Sequence, residues 1–444
     1  MNRILNYLKS VNISIPIPVG KLIGRIPFSY RPGIGVIYKE QSDFIRLFSE
    51  FEQKDKEKFI FDKFFKVFKH AYLNVPFYSS LYKNFGIELG DISCFSDISK
   101  IPVISKQDLI DVPLEERSFP IRNRMKVNTG GSSGRPLAFY MDPVRYGNEW
   151  AHIHYIWGKL GYRPNSIKLG FDGRSTVDNY VQYDFLRNTL RVDIYADQAE
   201  VCSRLYEIST KYNIDFLHGY PSAISEFASI CKLSHPQLWS RLKSTLKGAF
   251  LNSEFPAPHY RENIEDTFEI KTQSFYGHTE TCVFAEESER YKYLAHQTYG
   301  YAEVGNQFGY SGELVGTSYF NFASPLIRYN TQDLIKTLSF SGKILQKFEI
   351  SDGRKGEYIL DCEGAKIPLT GLIFGRHHKL FEVSSHVQVK QTAKGFADIF
   401  YVSKEKIARP EELFDSSNVK IQFNFLKVEK PILSISGKIN LLIK

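Results

Sequence analysis

Cysteine is scarce in this chain of 444 residues, and no two cysteines form a C-x-x-C pair. The five present are Cys94, Cys202, Cys231, Cys282 and Cys362. Their odd number and wide spacing argue against a disulfide framework and an all-cysteine zinc site, and predict a reducing, cytoplasmic location. His278 and Cys282 stand four residues apart, but two ligands do not make a structural zinc site.

Long apolar runs are also missing. No segment approaches 18 consecutive apolar residues, which excludes a transmembrane helix. Residues 1–28 begin basic, but Asn, Ser, Pro and Lys interrupt them too often for a signal peptide. Ile4, Leu5, Leu8 and Val11 share one helical face beside basic residues. That face fits a weak peripheral membrane contact or, as the favoured alternative, a helix packed on the body.

A concentrated positive charge is absent as well. The net charge of +8 is spread over a long chain, without the dense basic stripe of a nucleic-acid-binding domain. We therefore expect no nucleic-acid partner, whereas phosphates and acidic small molecules remain suitable ligands. Aromatic residues are abundant, with 35 Phe and 27 Tyr, and most of them are expected in the core.

Apolar periodicity predicts a long helix over residues 57–73, whose aromatic face is Phe61, Phe64, Phe65, Phe68 and Tyr72. Between residues 110 and 335, short apolar runs alternate with helical stretches. The predicted strands are 167–171, 247–253 and 271–277, and the predicted helices are 199–211 and 221–233. This alternation indicates an α/β fold with sheets covered by helices.

The polar segment 351–357 contains two glycines and marks a domain boundary. We predict a large N-terminal body over residues 1–350 and a small, mobile α+β domain over 351–444. The predicted strands of the second domain are 386–392, 396–403 and 419–428.

A glycine-rich segment is the most informative stretch of the chain. It reads Thr129, Gly130, Gly131, Ser132, Ser133, Gly134 and Arg135. Glycines let backbone N–H groups converge on an anion, hydroxyls add donors and the arginine adds charge, so the segment suits phosphate. An exposed flexible loop is the plain alternative.

Two other motifs compete for the same residues. The Walker pattern G-x-x-x-x-G-K-[ST] is absent. Gly130, Ser132 and Gly134 do match G-x-S-x-G, so a serine hydrolase using Ser132 is an alternative. A nucleophile elbow needs a strongly apolar strand before it, and residues 124–129 are too polar for a buried central strand.

Downstream motifs extend the pattern: NVPFY at 74–78, KIPVISKQDL at 100–109, HGYPSAI at 218–224, NSE at 252–254, YGHTE at 276–280, RYNTQD at 328–333, Gly353-Arg354 and Gly437-Lys438. In this order, and together with the glycine-rich segment, they make the chain resemble an adenylate-forming enzyme of the phenylacetate-CoA ligase-like branch. Within it, the chain is most similar to members associated with capsular polysaccharide biosynthesis, often labelled CapK-type or coenzyme F390 synthetase-like.

The resemblance implies ATP and Mg²⁺ as cofactors and assigns the residues. Residues 129–135 would hold the ATP phosphates, and Glu280 would bind Mg²⁺. The adenine and ribose would be held by Asn252, Ser253, Glu254, Tyr276, Gly277, Asp333 and Arg354. Lys438 would be catalytic, stabilising charge at the reacting carboxylate and the α-phosphate. Tyr220, Phe250 and His278 would line the acyl pocket. Arg135, Arg328, Arg354 and Lys438 would gather positive charge around the triphosphate.

The implied activity is ATP-dependent activation of a small carboxylic acid as an acyl-adenylate, with the acyl group passed to coenzyme A or to an amine or amino-sugar acceptor. A role in surface polysaccharide biosynthesis would follow, and a homodimer stays open. The chain departs from the family where Arg135 replaces the usual lysine and where Lys355-Gly356 occupies the expected acidic hinge. A catalytically inactive ligase-like binding module is a further alternative.

Overall fold

The computed structural model describes residues 16–129, 137–172, 177–352, 358–369, 372–373, 376, 378–384, 386–432 and 441–443. The helices are α1 (Ile17–Ile23), α2 (Gly35–Leu47), α3 (Gln53–Asn74), α4 (Pro76–Asn84), α5 (Lys106–Ile110), α6 (Arg145–Gly158), α7 (Gln198–Lys211), α8 (Pro221–Ser234), α9 (Pro236–Thr245), α10 (Pro258–Phe268) and α11 (Leu380–Val383).

The first fourteen strands are β1 (Met125–Asn128), β2 (Ala138–Met141), β3 (Lys168–Phe171), β4 (Val181–Asp184), β5 (Thr189–Val192), β6 (Phe216–Gly219), β7 (Gly248–Leu251), β8 (Lys271–Gly277), β9 (Phe284–Glu289), β10 (Lys292–Ala295), β11 (Gly300–Phe308), β12 (Ser311–Ser318), β13 (Tyr329–Ser341) and β14 (Ile344–Asp352). The others are β15 (Tyr358–Leu360), β16 (Lys366–Pro368), β17 (His386–Ala393), β18 (Phe396–Val402), β19 (Gln422–Lys427) and β20 (Leu442–Ile443).

The predicted long helix is confirmed as α3, which buries Phe64 and Phe68 completely. It ends at Asn74 because Pro76 disfavours the α conformation of Val75, which instead begins α4 as its extended N-cap residue. The predicted strands of the body are confirmed as β3, β7 and β8, and the predicted helices as α7 and α8.

A twelve-stranded sheet spans the body in the order β11-β12-β13-β14-β10-β9-β8-β7-β6-β3-β5-β4. Strands β5, β3, β6, β7 and β8 run parallel, and the pairs on the other side of β8 are antiparallel. Strand β8 therefore belongs to both halves, and its end lies where parallel pairing is replaced by antiparallel pairing.

Helices cover both faces of the sheet, which confirms the predicted α/β class. Helices α7 to α10 pack on one face of the parallel half around an aliphatic core. Helix α6 covers the other face with an aromatic layer that includes Trp157 and Phe250. Helices α3 and α4 cover the antiparallel half. In the described part of the chain, no helix is long and apolar enough to cross a membrane.

The C-terminal region forms a separate sheet in the order β19-β18-β17-β20 with a core of its own. The change of sheet falls between β14 and β15, beside the boundary that the sequence predicts. This core also includes Tyr195, a residue of the body that follows β5. The guanidinium of Arg376 lies 4.6 Å from the Tyr195 ring, and Asn418 Nδ2 donates to Asp193 Oδ2 at 2.8 Å. The C-terminal sheet thus rests on the loop after β5.

Candidate functional site

The carboxyl ends of four parallel strands form one edge of the sheet. Phe171, Gly219, Leu251 and Ser274 stand side by side in register at the ends of β3, β6 and β7 and in β8. Gly219 has φ +138°, and a Cβ there would lie 2.2 Å from the Phe171 carbonyl oxygen, so the strands approach too closely for a side chain. In open α/β sheets, this edge is where ligands bind.

The predicted adenine and ribose residues Tyr276 and Asp333 meet at this edge. Tyr276 at the end of β8 donates its hydroxyl to Asp333 Oδ2 at 2.5 Å, although Asp333 lies on the distant strand β13. Asp333 N–H in turn donates to Thr331 Oγ1 at 3.2 Å. Burial, followed by the Asp333 charge, raises the pKa of Tyr276 well above its usual value. Tyr276 therefore stays a hydroxyl donor over the physiological range.

Glu280 is oriented by two side chains. Val283 N–H donates to His278 Nε2 at 3.1 Å, so the imidazole proton of the neutral ring is on Nδ1, which faces Glu280 Oε2 at 3.2 Å. Tyr329 donates its hydroxyl to Glu280 Oε1 at 3.4 Å. Burial, then the Glu280 charge, raises the pKa of Tyr329. These donors are neutral, so they orient the carboxylate without neutralising its charge.

The two carboxylates belong to one electrostatic cluster. The charge of Glu280 contributes to the raised pKa of Tyr276, and the charge of Asp333 contributes to that of Tyr329. Two acids and two tyrosines from β8, β13 and the turn between β8 and β9 thus face a common space. Such a cluster suits a ligand with hydroxyl donors and an associated cation.

Comparison with curated proteins finds CapK of Staphylococcus aureus, 23% identical over 62% of this chain and 61% of CapK. The match thus spans less than two thirds of CapK. Two phenylacetate-coenzyme A ligases match over more of their length. That of Escherichia coli strain K12 is 23% identical over 76% of this chain and 79% of the ligase. That of Pseudomonas putida is 21% identical over 84% of this chain and 87% of the ligase. No protein-family model matches the chain.

Among solved structures, 2-hydroxyisobutyryl-CoA ligase in the postadenylation state, in complex with R3-HIB-AMP, aligns with a TM-score of 0.52 and 16% identity over 88% of this chain and 90% of that one. An open conformation of that ligase, in complex with 2-HIB-AMP and CoA, aligns equally well over 87% and 91%. The chain is similar in sequence to CapK and to the phenylacetate-CoA ligases. It has the fold of the adenylate-forming ligases.

Two antiparallel strands, β1 and β2, flank the glycine-rich segment in the sequence. Gly130 to Arg135, like Arg354 and Lys438, lie outside the described residues, but both ends of the loop are described. Asn128 of β1 pairs with Ala138 of β2, and Thr129 Oγ1 accepts from Leu137 N–H at 2.9 Å. The described strands before and after the G-x-S-x-G residues, β1 and β2, are therefore short and pair with each other in the antiparallel direction. A nucleophile elbow requires a strand–turn–helix instead, so the hydrolase alternative has no support here.

Glu254 of the NSE motif is packed against helix α8. The preceding Ser253 has φ +67°, and Glu254 is only 7% exposed. Glu254 Oε2 accepts from Ser222 Oγ at 2.7 Å and from Ser222 N–H at 3.3 Å, at the start of α8. Its Oε1 is buried without a hydrogen-bond partner among the described residues. Burial raises the pKa of Glu254 despite these bonds. Its carboxylate is held against the start of α8, and its contact with adenine stays a prediction. Asn252 and Gly277 lie at the same strand ends.

The predicted acyl-pocket residues are divided between three surroundings. Phe250 is fully buried in the aromatic layer, stacked on Trp157 at a ring distance of 4.5 Å and an angle of 11°. Tyr220 is buried in the aliphatic core on the other face. His278 lies beside Glu280. The structure thus places Phe250 and Tyr220 in two separate hydrophobic clusters.

Arg328 was expected among the cations around the triphosphate, and Tyr329 was not singled out. Arg328 makes a two-point ion pair with Glu303, with Nε–Oε1 and Nη2–Oε2 at 2.8 and 2.9 Å, and donates to the carbonyls of Ser99 and Ile101. The guanidinium thus links the start of β13 to β11 and to the segment that precedes α5. Tyr329, the next residue, orients Glu280; its place in the RYNTQD motif was the available signal.

Proposed function

We propose that this chain is an AMP-forming ligase that activates a carboxylic acid with ATP. A carboxylate oxygen bonds to the α-phosphorus, and the bond from that phosphorus to the bridging oxygen breaks. The electron pair leaves with pyrophosphate, and an acyl-adenylate remains. No general base is required, because a carboxylate is already ionised at neutral pH. The observation that carries the proposal is the Tyr276–Asp333 hydrogen bond beside Glu280.

Asp333 is proposed to accept hydrogen bonds from the ribose hydroxyls, a task that suits a carboxylate oxygen already fixed by Tyr276. Tyr276 would flank the adenine, next to Asn252, Ser253 and Gly277 at the neighbouring strand ends. The phosphates would lie on the loop from Thr129 to Arg135, with Arg354 nearby. Lys438 would act at the reacting carboxylate, with Tyr220 and His278 near the acyl group and Phe250 in the packed layer behind it.

The surroundings of Glu280 fit Mg²⁺. It offers a hard carboxylate oxygen in a fixed direction, and Mg²⁺ in nucleotide sites takes one or two carboxylates together with substrate phosphates and water. No group of three metal-ligating side chains occurs among the described residues, which suits a metal held mainly by its nucleotide. When bound, Mg²⁺ would neutralise charge on the departing pyrophosphate.

The acceptor of the acyl group is proposed to be coenzyme A or an amine, such as an amino sugar of a surface polysaccharide. The first choice follows the name of the phenylacetate-coenzyme A ligases, and the second follows the resemblance to members associated with capsular polysaccharide biosynthesis. The cytoplasm, where ATP and coenzyme A are available, is the proposed location.

The test is ATP–pyrophosphate exchange with Mg²⁺ and a panel of carboxylic acids. Exchange needs only adenylation, so it does not depend on the acceptor. We expect acid-dependent exchange in the wild type, near-complete loss in Lys438→Ala, and retention in the control Lys430→Ala, which removes an exposed lysine eight residues earlier. Ser132→Ala should lose only part of the activity.

Two outcomes would overturn the proposal. One is esterase activity without ATP that Ser132→Ala abolishes, which would indicate a serine hydrolase. The other is a folded protein that neither exchanges pyrophosphate with any acid nor gains thermal stability from ATP, which would indicate an inactive binding module. A ligand at a hundred times its dissociation constant should add about 2.7 kcal/mol of stability, so binding is easily detected.

A further inference from the structure

The first 39 residues contain an unusual share of the positive charge. They include six lysines and arginines and no aspartate or glutamate, in a chain whose net charge is +8. Within the described part of this stretch, Lys21, Arg25 and Lys39 form no ion pair with any described residue, and Arg25 and Lys39 are exposed. Arg31 differs, because it donates to the Leu186 carbonyl at 3.2 Å and covers the Phe28 ring. The remaining three cations are available to an external anion.

The same stretch exposes large apolar side chains: Val19, Leu22, Ile26, Tyr30 and Val36, with Leu22 63%, Tyr30 76% and Val36 82% exposed. A concentration of this kind in eighteen residues is unlike the scattered single apolar residues of an ordinary surface. Moving these side chains from water into an apolar environment would be favourable, since apolar area removed from water stabilises an association.

Helix α1 shows how the arrangement is fixed. Its inner side is formed by Gly20, where a Cβ would lie 2.0 Å from the Tyr183 hydroxyl, and by buried Gly24 after the helix end. Helical spacing then turns Val19 and Leu22 away from the body, and Lys21 lies at the border between the two sides. The glycines hold this short helix close to the body while its outer face stays apolar with a basic flank.

The 3₁₀ turn Phe28–Tyr30 and the start of α2 continue the surface. Phe28 is buried beside Tyr38 and His154, which leaves Tyr30 pointing outward. Gly35 approaches the Ser29 carbonyl, so the turn, which exposes Tyr30, and the start of α2, which exposes Val36, are packed together. We call residues 16–39 the basic apolar face.

We infer that the basic apolar face docks on a membrane surface that carries anionic lipids. The exposed apolar side chains would enter the headgroup region, and Lys21, Arg25 and Lys39 would lie against lipid phosphates. A second copy of this chain is the poorer occupant, because pairing this face with itself would bring like charges together without an acidic partner. The inference does not depend on the proposed ligase activity.

The experiment is co-sedimentation of the full chain with vesicles of phosphatidylcholine containing about one-third phosphatidylglycerol, and with pure phosphatidylcholine. Binding is expected with the anionic vesicles only, and it should weaken when salt is raised from about 0.05 to about 0.5 M. Lys21→Gln/Arg25→Gln should weaken binding roughly fivefold for each charge removed. Leu22→Ser/Ile26→Ser should weaken it by at least tenfold.

Matched control variants remove charged or apolar side chains from other parts of the surface. Lys211→Gln/Lys232→Gln takes two exposed lysines from α7 and α8, and Phe308→Ser/Tyr310→Ser takes two exposed aromatic residues from the β11–β12 turn. Both should bind like the wild type, and circular dichroism should confirm that every variant is folded. Equal binding of face and control variants, equal binding to neutral vesicles, or a concentration-dependent dimer that Leu22→Ser/Ile26→Ser dissociates would each overturn the inference.

Discussion

Two glutamates at the same sheet edge behave in opposite ways. Glu254 follows β7, is enclosed against the start of α8 and has a raised pKa because burial outweighs its bonds to Ser222. Glu280 follows β8 and is held by His278 and Tyr329 in the space that Asp333 shares. The parallel side of the edge is therefore filled by packing, and the junction with the antiparallel side holds the oriented polar groups. Membership of a motif does not by itself decide which role a carboxylate has.

The largest effect is expected on the packed side. Phe250→Ala should lower the free energy of unfolding by about 3–5 kcal/mol, because it removes a buried ring stacked on Trp157. Denaturant unfolding measures this, and Phe308→Ala, which removes an exposed ring, should change stability by less than about 0.5 kcal/mol. Phe250→Leu provides the sharper test. If it stays stable but raises KM for the acid more than about tenfold, Phe250 lines the acid pocket directly.

On the polar side, Asp333→Asn should lower kcat/KM for ATP on the order of 10- to 100-fold, because hydrogen bonds to a charged group contribute about 1.5–3 kcal/mol. Steady-state pyrophosphate release measures the loss. Asp62→Asn removes an exposed acid that pairs with Lys58 on α3 and should leave the rate unchanged. An unchanged rate in Asp333→Asn would mean that this carboxylate does not bind the ribose.

Glu280→Gln should raise the Mg²⁺ concentration needed for half-maximal rate, roughly tenfold, because the amide keeps the geometry but loses the charge. The measurement is a Mg²⁺ titration of pyrophosphate release at saturating ATP and acid. Glu349→Gln, on the surface of β14, is the matched control. If both variants titrate like the wild type, Glu280 is not a metal ligand.

The smallest effect is expected at Glu254. The pKa of Glu254 is higher in the folded chain than in the unfolded chain, so the unfolded chain releases this proton at lower pH. Stability therefore falls as the pH rises from the usual pKa of a glutamate toward the folded-state pKa of Glu254. Glu254→Gln should therefore flatten the fall in stability over that interval, with a change within about 1 kcal/mol and adenylation within about twofold. Thermal unfolding as a function of pH measures it. A loss of adenylation above tenfold would return Glu254 to the nucleotide site.

The sequence predicted the elements well because their causes are local. The aromatic spacing of α3 and the apolar runs of β3, β7 and β8 are determined within single segments. The hydrogen bond between Tyr276 and Asp333 was not predicted, since no local rule joins β8 to β13; the resemblance only assigned both residues to the nucleotide. The surroundings of Phe250, Glu254 and Arg328 could not be predicted locally, because the direction of a side chain depends on which face its neighbours cover, and a shift of one residue reverses it.

One contact in the C-terminal sheet bears on how the chain can be divided. Tyr195 belongs to the body in sequence but fills part of the C-terminal core, under the guanidinium of Arg376. A fragment beginning at residue 358 would carry a core with one ring missing, and the body alone would expose that ring to water. The C-terminal core is thus completed by one residue of the body. Rotation of the C-terminal sheet away from the body would remove the Tyr195 ring from this core and break the Asp193–Asn418 hydrogen bond. Both contacts therefore stabilise the observed position of the sheet.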